Sequence, residues 1–242
     1  SVDICEQGSS INQVTIFLST RNRPHLIKKT LDNIRQVCPQ HKVLIGNASS
    51  DRYFKEVSDI IKSHDNAIEI AYNPDPGLSI VYSELYKKID TELAVVWADD
   101  MEFLREFDSL LPYFDNPNIH LAALPMIDDI SAAPITTGAG WPKDKYGCAL
   151  WNTSTGRCAH HAISRVSHFL QFGDVCGTGE PNDVIDNFCH KHTSAPQRIW
   201  PIGPYILHTR IDDETRLNTV LGEGKFRFPT KASFKTPEER DQ

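Results

Sequence analysis

The sequence predicts an α/β fold built on a mainly parallel sheet with helices on both faces. Short apolar, β-branched runs alternate with helix-spaced apolar residues about every 25 residues, the rhythm of strands joined by crossover helices. Polar residues follow the ends of those runs. A chain of 242 residues with 40% hydrophobic content, four Trp and eleven Phe can bury one substantial core.

The elements read in order as follows. Val14 to Leu18 is a strand, and Pro24 then opens a helix with Ile27, Leu31 and Ile34 at helical spacing. Val43 to Ile45 is a second strand ending at Gly46-Asn47, and Tyr53, Phe54, Val57, Ile60 and Ile61 mark one face of a second helix. Ala67 to Tyr72 reads as a strand. Pro74, Pro76 and Gly77 form a turn before a third amphipathic helix with Leu78, Val81, Leu85 and Ile89. A fourth strand spans Leu93 to Trp97. After the acidic pair Asp99-Asp100, a helix is expected from Arg105 to Phe114 and a fifth strand from Leu121 to Met126.

Ligands of such sheets settle at the carboxyl ends of the strands. That rule singles out Ser19-Thr20-Arg21, Asn47-Ala48-Ser49-Ser50-Asp51 and Asp99-Asp100. No glycine-rich fingerprint or phosphate loop follows the first strand, which disfavours an NAD or ATPase site.

Composition narrows the partners. The formal charge of −7, from 25 basic and 32 acidic residues without a Lys/Arg-rich run, offers a nucleic-acid backbone no landing strip, so no nucleic-acid partner is expected. No segment approaches the roughly 18 apolar residues of a membrane span, and the N-terminal residues lack a signal-peptide layout. The expectation is a soluble chain, cytoplasmic or lumenal after loss of an anchor. Cys5, Cys38, Cys148, Cys158, Cys176 and Cys189 contain no Cys-x-x-Cys pair, so a structural zinc site is not expected. Cys148 and Cys158 are spaced to close a short disulfide loop in an oxidising compartment, and six scattered cysteines equally suit a reduced one. Asn47-Ala48-Ser49 and Asn152-Thr153-Ser154 match the N-glycosylation pattern, but Asn47 falls among the candidate ligand-binding residues.

Three stretches together resemble family 2 glycosyltransferases. Val14-Thr15-Ile16-Phe17-Leu18-Ser19-Thr20-Arg21-Asn22-Arg23-Pro24 is similar to their opening strand and Thr-x-Asn-Arg-Pro loop. Asn47 to Asp51 resembles their Asn-x-Ser-x-Asp strand ending. Val95-Val96-Trp97-Ala98-Asp99-Asp100-Met101-Glu102-Phe103 resembles the strand that delivers their acidic metal-binding motif. The resemblance covers residues 13 to 127 and loosens afterwards. It implies a single GT-A domain: a nucleotide-sugar-binding half over about 13–127, a smaller acceptor half over about 128–221, and a tail over 222–242. One departure stands out: the family's Asp-x-Asp would place an acid at Ala98.

The implied activity is transfer of a sugar from a nucleotide-diphosphate-sugar donor to a carbohydrate or other hydroxyl acceptor, by inverting displacement with Mn²⁺ or Mg²⁺. A hard divalent cation on oxygen ligands neutralises the departing diphosphate. The resemblance makes Asp100 the metal ligand and Asp99 a contact to ribose or metal-bound water. Ser19, Thr20, Asn47, Ser50 and Asp51 line the nucleotide pocket, and Arg21 meets the diphosphate. The competing reading is that the acidic pair caps the helix expected near Arg105.

His161 to Asp174, with Ile163, Val166, Phe169 and Leu170 before Gly173, is similar to the amphipathic segment that precedes the family's catalytic loop. The loop would be Gly177-Thr178-Gly179-Glu180-Pro181-Asn182-Asp183. Asp183 is the expected general base and Glu180 the alternative, with Asp186 inside the following helix. The bland reading makes Asp183 a helix-terminus residue favoured by the dipole. His208, after the apolar run Tyr205-Ile206-Leu207, is a candidate metal ligand, with Arg210 assisting the phosphates. A structural His208 is the alternative. His160-His161 is read as structural because adjacent side chains diverge. Ala133 to Trp141 is a candidate loop over the donor, and Gly222 to Gln242 a surface tail. Two other functions compete: a non-catalytic GT-A-like sugar-binding or assembly module, and a nucleotidyltransferase, which lacks its glycine-rich basic signature here.

Overall fold

The computed structural model describes residues 13–128, 149–151, 162–167, 197–201 and 205–208. Among them an eight-stranded sheet forms the centre. Its first part is parallel: β1 (Val14–Thr20) lies between β2 (Lys42–Asn47) and β4 (Leu93–Val96), and β3 (Ala67–Ala71) pairs with the far side of β2. Helices α1 (Pro24–Val37), α2 (Asp51–Lys62) and α3 (Leu78–Lys87) connect these strands.

Each helix follows from local chemistry. Pro24 occupies the first turn of α1, where its missing N–H costs nothing, and Leu26, Ile27, Leu31 and Ile34 are buried on one face. Val57 and Ile61 bury the matching face of α2. Gly77, with φ 101°, adopts the left-handed conformation that starts α3, which a side chain would resist.

Alternation along β1 divides the core. Val14, Ile16 and Leu18 pack with residues of α1 and α2 on one face. Phe17 faces the other way and packs with Val81, Tyr82, Leu85 and Tyr86 of α3. Helices therefore cover both faces, as the sequence predicts. Gly46 on β2 lies so close to α3 that a Cβ there would run into Val81 Cγ1 and sit 3.3 Å from Leu85 and Tyr72.

Three expectations need correction. The helix expected over Arg105 to Phe114 is a 3-10 helix over Asp108–Asp115, with Pro112 inside it removing a backbone donor. The single strand expected over Leu121 to Met126 divides at Leu124-Pro125. Its parts are β6 (Ile119–Ala123) in the main sheet and β7 (Met126–Asp128) in a second sheet. The amphipathic segment expected from His161 starts as a strand, β9 (Ala162–Arg165), inserted antiparallel between β4 and β6. All four β9 residues are buried, so a strand with neighbours on both edges replaces the one-sided pattern read from Ile163 and Val166.

Beyond β6 lie β10 (Gln197–Trp200), parallel to it, and β8 (Ala149–Trp151), antiparallel to β10. The second sheet is three short strands: β5 (Met101–Phe103), β11 (Ile206–His208) and β7, with β11 in the centre. No helix among the described residues is long and apolar enough to cross a membrane. Cys38 is a free thiol, fully buried, and burial pushes its pKa up to about 12, so it is inert at neutral pH. The other cysteines, His160-His161, the loop at Ala133 to Trp141 and the tail lie outside the described residues.

Candidate functional site

Three strand ends meet at the carboxyl edge of the parallel part of the sheet, and the loop Arg21-Asn22-Arg23 after β1 is tied to each of them. Asn22 occupies the left-handed region at φ 57°, a conformation asparagine tolerates better than most residues. Its N–H donates to Ser49 Oγ at 3.0 Å, while its side-chain oxygen accepts from the Ser50 N–H at 2.8 Å and the Ser50 hydroxyl at 3.1 Å. That ties the loop to the end of β2. Arg21 pairs with Asp75, in the turn after β3, at 3.2 Å, and Asp75 also accepts from the Gly77 N–H at 2.7 Å. Arg23 pairs with Asp99, after β4, at 2.9 Å.

Asp99 is the more enclosed of the two acids. Its Oδ2 accepts from the Thr20 hydroxyl at 2.8 Å, its Oδ1 from Arg23 Nη1, and its main-chain oxygen from the Thr30 hydroxyl at 2.9 Å. Burial pushes its carboxyl above the ordinary value, and Asp100 adds to that push. Arg23 and the Thr20 hydroxyl pull in the opposite direction.

Asp100 follows at the start of the second sheet and is half-buried. β11 sets His208 opposite Met101 on one side and Asp128 on the other. The backbone of His208 therefore lies beside the residue that follows Asp100. Glu180, Asp183 and Arg210 lie outside the described residues.

The other candidates divide into two groups. Thr20 and Ser50 join the network around residues 21–23, and the half-buried Ser19 borders it, its N–H donating to Tyr82 Oη at 3.4 Å. Asn47 and Asp51 do not join. Asn47 is fully buried, with its amide donating to Glu69 at 2.8 Å and its side-chain oxygen accepting from the Ser49 N–H at 3.2 Å, so it shapes the β2–α2 turn. Asp51 is exposed at the start of α2 and accepts from Asn73 at 2.6 Å.

Sequence reasoning missed Arg23, Asp75 and Tyr82 as members of this cluster. The Tyr82 hydroxyl, on α3, donates to Trp97 O at 2.8 Å; burial raises its pKa, so the phenol stays neutral. Arg23 sits inside the Thr-x-Asn-Arg-Pro stretch, which was its one visible signal. Asp75 and Tyr82 carry no local signal, because only the parallel topology brings α3 and the β3 turn against the end of β1.

No protein-family model matches the sequence, and no curated protein matches it. Solved structures do match by fold. TarS 1-349 of S. aureus superimposes with a TM-score of 0.59 at 12% identity over 82% of this chain and 60% of that one. The same protein in complex with UDP-GlcNAc gives 0.61 at 12% identity, over 83% of this chain and 59% of that one. A mannosyltransferase, PcManGT from Pyrobaculum calidifontis, in complex with GDP-Man and Mn²⁺, gives 0.56 at 14% identity, over 86% and 62%. The chain thus spans less than two thirds of the length of each. At these identities the likeness is one of fold, the mixed α/β, mainly parallel architecture.

Proposed function

We propose that this chain is a glycosyltransferase that moves a sugar from a nucleotide-diphosphate-sugar to a hydroxyl acceptor, by inverting displacement with a divalent metal. The observation that carries the reading is the convergence of two arginines and the Asp99-Asp100 pair on one edge of a glycosyltransferase-like sheet. Cationic guanidinium groups suit a diphosphate, and a carboxylate beside them suits a hard cation.

The residues present fit such a metal in a particular way. Among the described residues no group of three His, Cys, Asp or Glu side chains could hold an ion, and both Asp99 oxygens are engaged within the protein. In this reading Asp100, half-buried next to Asp99, is the carboxylate ligand, with His208 as a further candidate. Donor oxygens and water would complete the shell, so Mn²⁺ or Mg²⁺ should bind together with nucleotide. When bound, the cation offsets charge developing on the diphosphate. Arg21, Thr20, Ser19 and Ser50 bind and orient the donor in this reading, with Arg210 at the phosphates. Asp183 takes the acceptor proton, Glu180 being the alternative. The reading treats the chain as one domain with a donor half and an acceptor half.

A second reading, a sugar-binding or assembly module without turnover, is favoured by Ala98 and by the internal engagement of Asp99. A melting screen tests the first: UDP-GlcNAc and GDP-mannose, each with and without Mn²⁺, should include one donor that raises Tm only with the metal. A donor at 100 times its Kd adds about 2.7 kcal/mol. Stabilisation without hydrolysis or transfer would favour the module. No stabilisation by any nucleotide-sugar would sink both.

A further inference from the structure

Asp99 stands where the motif resemblance expects a contact to ribose or to metal-bound water, yet the structure turns its carboxylate inward. The side chain is 6% exposed, against 18% for Arg23. One oxygen receives the Thr20 hydroxyl and the other Arg23 Nη1, and Thr30 fixes the main chain of the same residue. The pair is layered, carboxylate beneath and guanidinium toward the surface. Two residues away Arg21 forms an ion pair, without a hydrogen bond from its Nε, and is 16% exposed beside an Asp75 side chain that is 7% exposed. Between them Asn22, in its left-handed conformation, is anchored to the end of β2. Two arginines are thus each paired with an acid belonging to a different strand end.

We propose that Asp99 is a positioning residue that acts through Arg23: it holds the Arg23 guanidinium at the strand ends, and Arg23 meets the diphosphate of the donor. This rests on the glycosyltransferase reading. The physical ground is the planarity of the guanidinium: fixing one N–H against a buried acceptor sets the plane in which its other donors lie. A simple electrostatic latch would need only a positive charge at residue 23.

Calorimetry with UDP and GDP in the presence of Mn²⁺ tests this on the wild type, Asp99→Asn, Arg23→Gln and the double variant. Each single change should weaken binding of the preferred diphosphate about 10-fold, and the double variant should be no weaker than the worse single, since both remove one arrangement. Uridine or guanosine, without phosphate, should bind Arg23→Gln as it binds the wild type. Arg23→Lys keeps the ion pair and loses the fork, so it should regain the wild-type Tm while diphosphate affinity stays reduced about 5-fold; this arm does not depend on Asp99→Asn folding. Losses that add in the double variant would overturn the proposal, because Asp99 would then touch the donor itself. So would Arg23→Lys with full affinity, or Asp99→Asn with a lowered Tm and unchanged affinity. A wild type that binds neither diphosphate would overturn the transferase reading and the proposal with it, a result distinct from the others.

Discussion

At the carboxyl edge of the parallel strands, ties from the ends of β2, β3 and β4 converge on residues 21–23; at the opposite edge, ties converge on residues 40–42 at the start of β2. There Lys42 meets Asp90 at 2.8 Å, His41 meets Asp108 at 2.8 Å, and Arg165 pairs with Glu92. Thr15 and Thr91 share a hydrogen bond of 2.7 Å at the same edge. His41 also accepts the Val14 N–H at its ring and the Asn66 amide at its main-chain oxygen, and Gln40 donates to Asp108. The edges differ in their acids: Asp99 and Asp75 are 6% and 7% exposed, whereas Asp108, Glu92 and Asp90 are 42%, 51% and 69% exposed, so one edge holds its charges in an enclosed cluster and the other fastens strand ends near solvent. If that contrast holds, changes at the carboxyl edge will alter ligand binding, and changes at the amino edge will alter stability alone.

The largest expected effect is at Asp100. Asp100→Ala should reduce metal-stimulated turnover of a nucleotide-sugar by about 10²- to 10³-fold, the range typical for losing one electrostatic partner of the departing charge. The half-buried position should leave Tm nearly unchanged. A folded variant that retains full metal-stimulated turnover would remove Asp100 from the site. Asp183→Asn belongs with it: turnover should fall while donor affinity stays, and the reverse pattern would refute the general-base assignment.

Arg165 offers the opposite case. On β9, it donates to Phe114 O at 2.6 Å and Ile119 O at 3.3 Å besides pairing with Glu92, and it is 9% exposed. Arg165→Met would leave those carbonyls without this donor and free the end of the 3-10 helix from β9. A loss of about 2–4 kcal/mol is expected in denaturant unfolding, with nucleotide affinity of the folded fraction unchanged. A clear drop in affinity at unchanged stability would break the division between the edges.

How much of this was legible in the sequence depended on whether an element was contiguous. Val14 to Leu18, Pro24 with its Ile27, Leu31 and Ile34 stripe, and the β2–α2 unit each carry their pattern within one stretch, so they read correctly. β9 did not, because its burial on both edges is decided by β4 and β6, far away in sequence. The β5–β11–β7 sheet joins three-residue strands from three distant places, too short to show a period. Within the site, Thr20 and Asp99 were visible as strand-end residues, but their hydrogen bond to each other was not. Asn47 was likewise visible by its position, but the bond of its amide to Glu69 was not.

Gly46 tests the carboxyl edge without touching its charges. Gly46→Ala would force a methyl group against Val81 Cγ1 and crowd Leu85 and Tyr72, pushing α3 away from β2. The expected cost is about 1–3 kcal/mol. Because α3 carries Tyr82, which bonds Trp97 O and receives the Ser19 N–H, a small weakening of nucleotide binding should accompany it. Unchanged stability would mean that the helix yields without cost and that the contact does not set its position.

The smallest effect concerns His41, and it has a definite sign. Its ring is fully enclosed, stacked on Phe107 with centroids 4.6 Å apart, and its Nδ1 accepts the Val14 N–H at 3.3 Å while Nε2 faces Asp108 at 2.8 Å. The tautomer that satisfies both contacts is neutral, with the proton on Nε2 given to Asp108. Burial lowers the His41 pKa below its ordinary 6.5, and the pull of Asp108 in the other direction does not overcome it. The unfolded chain therefore takes up a proton near pH 6.5 that the folded chain refuses, so this contribution is fully present above that pH and is lost as the pH falls below it. Protonation of the folded ring removes the bond from Val14, worth about 1 kcal/mol. Carboxylates such as Asp32 and Asp90, whose pKa values are lowered by Lys28 and Lys42, add their own losses only nearer their ordinary 3.8. Unfolding free energies of wild type and His41→Gln between pH 7.5 and 5.5 separate the contributions. The wild type should lose stability across that range more steeply than the variant, and parallel curves would show that His41 does not titrate differently on folding.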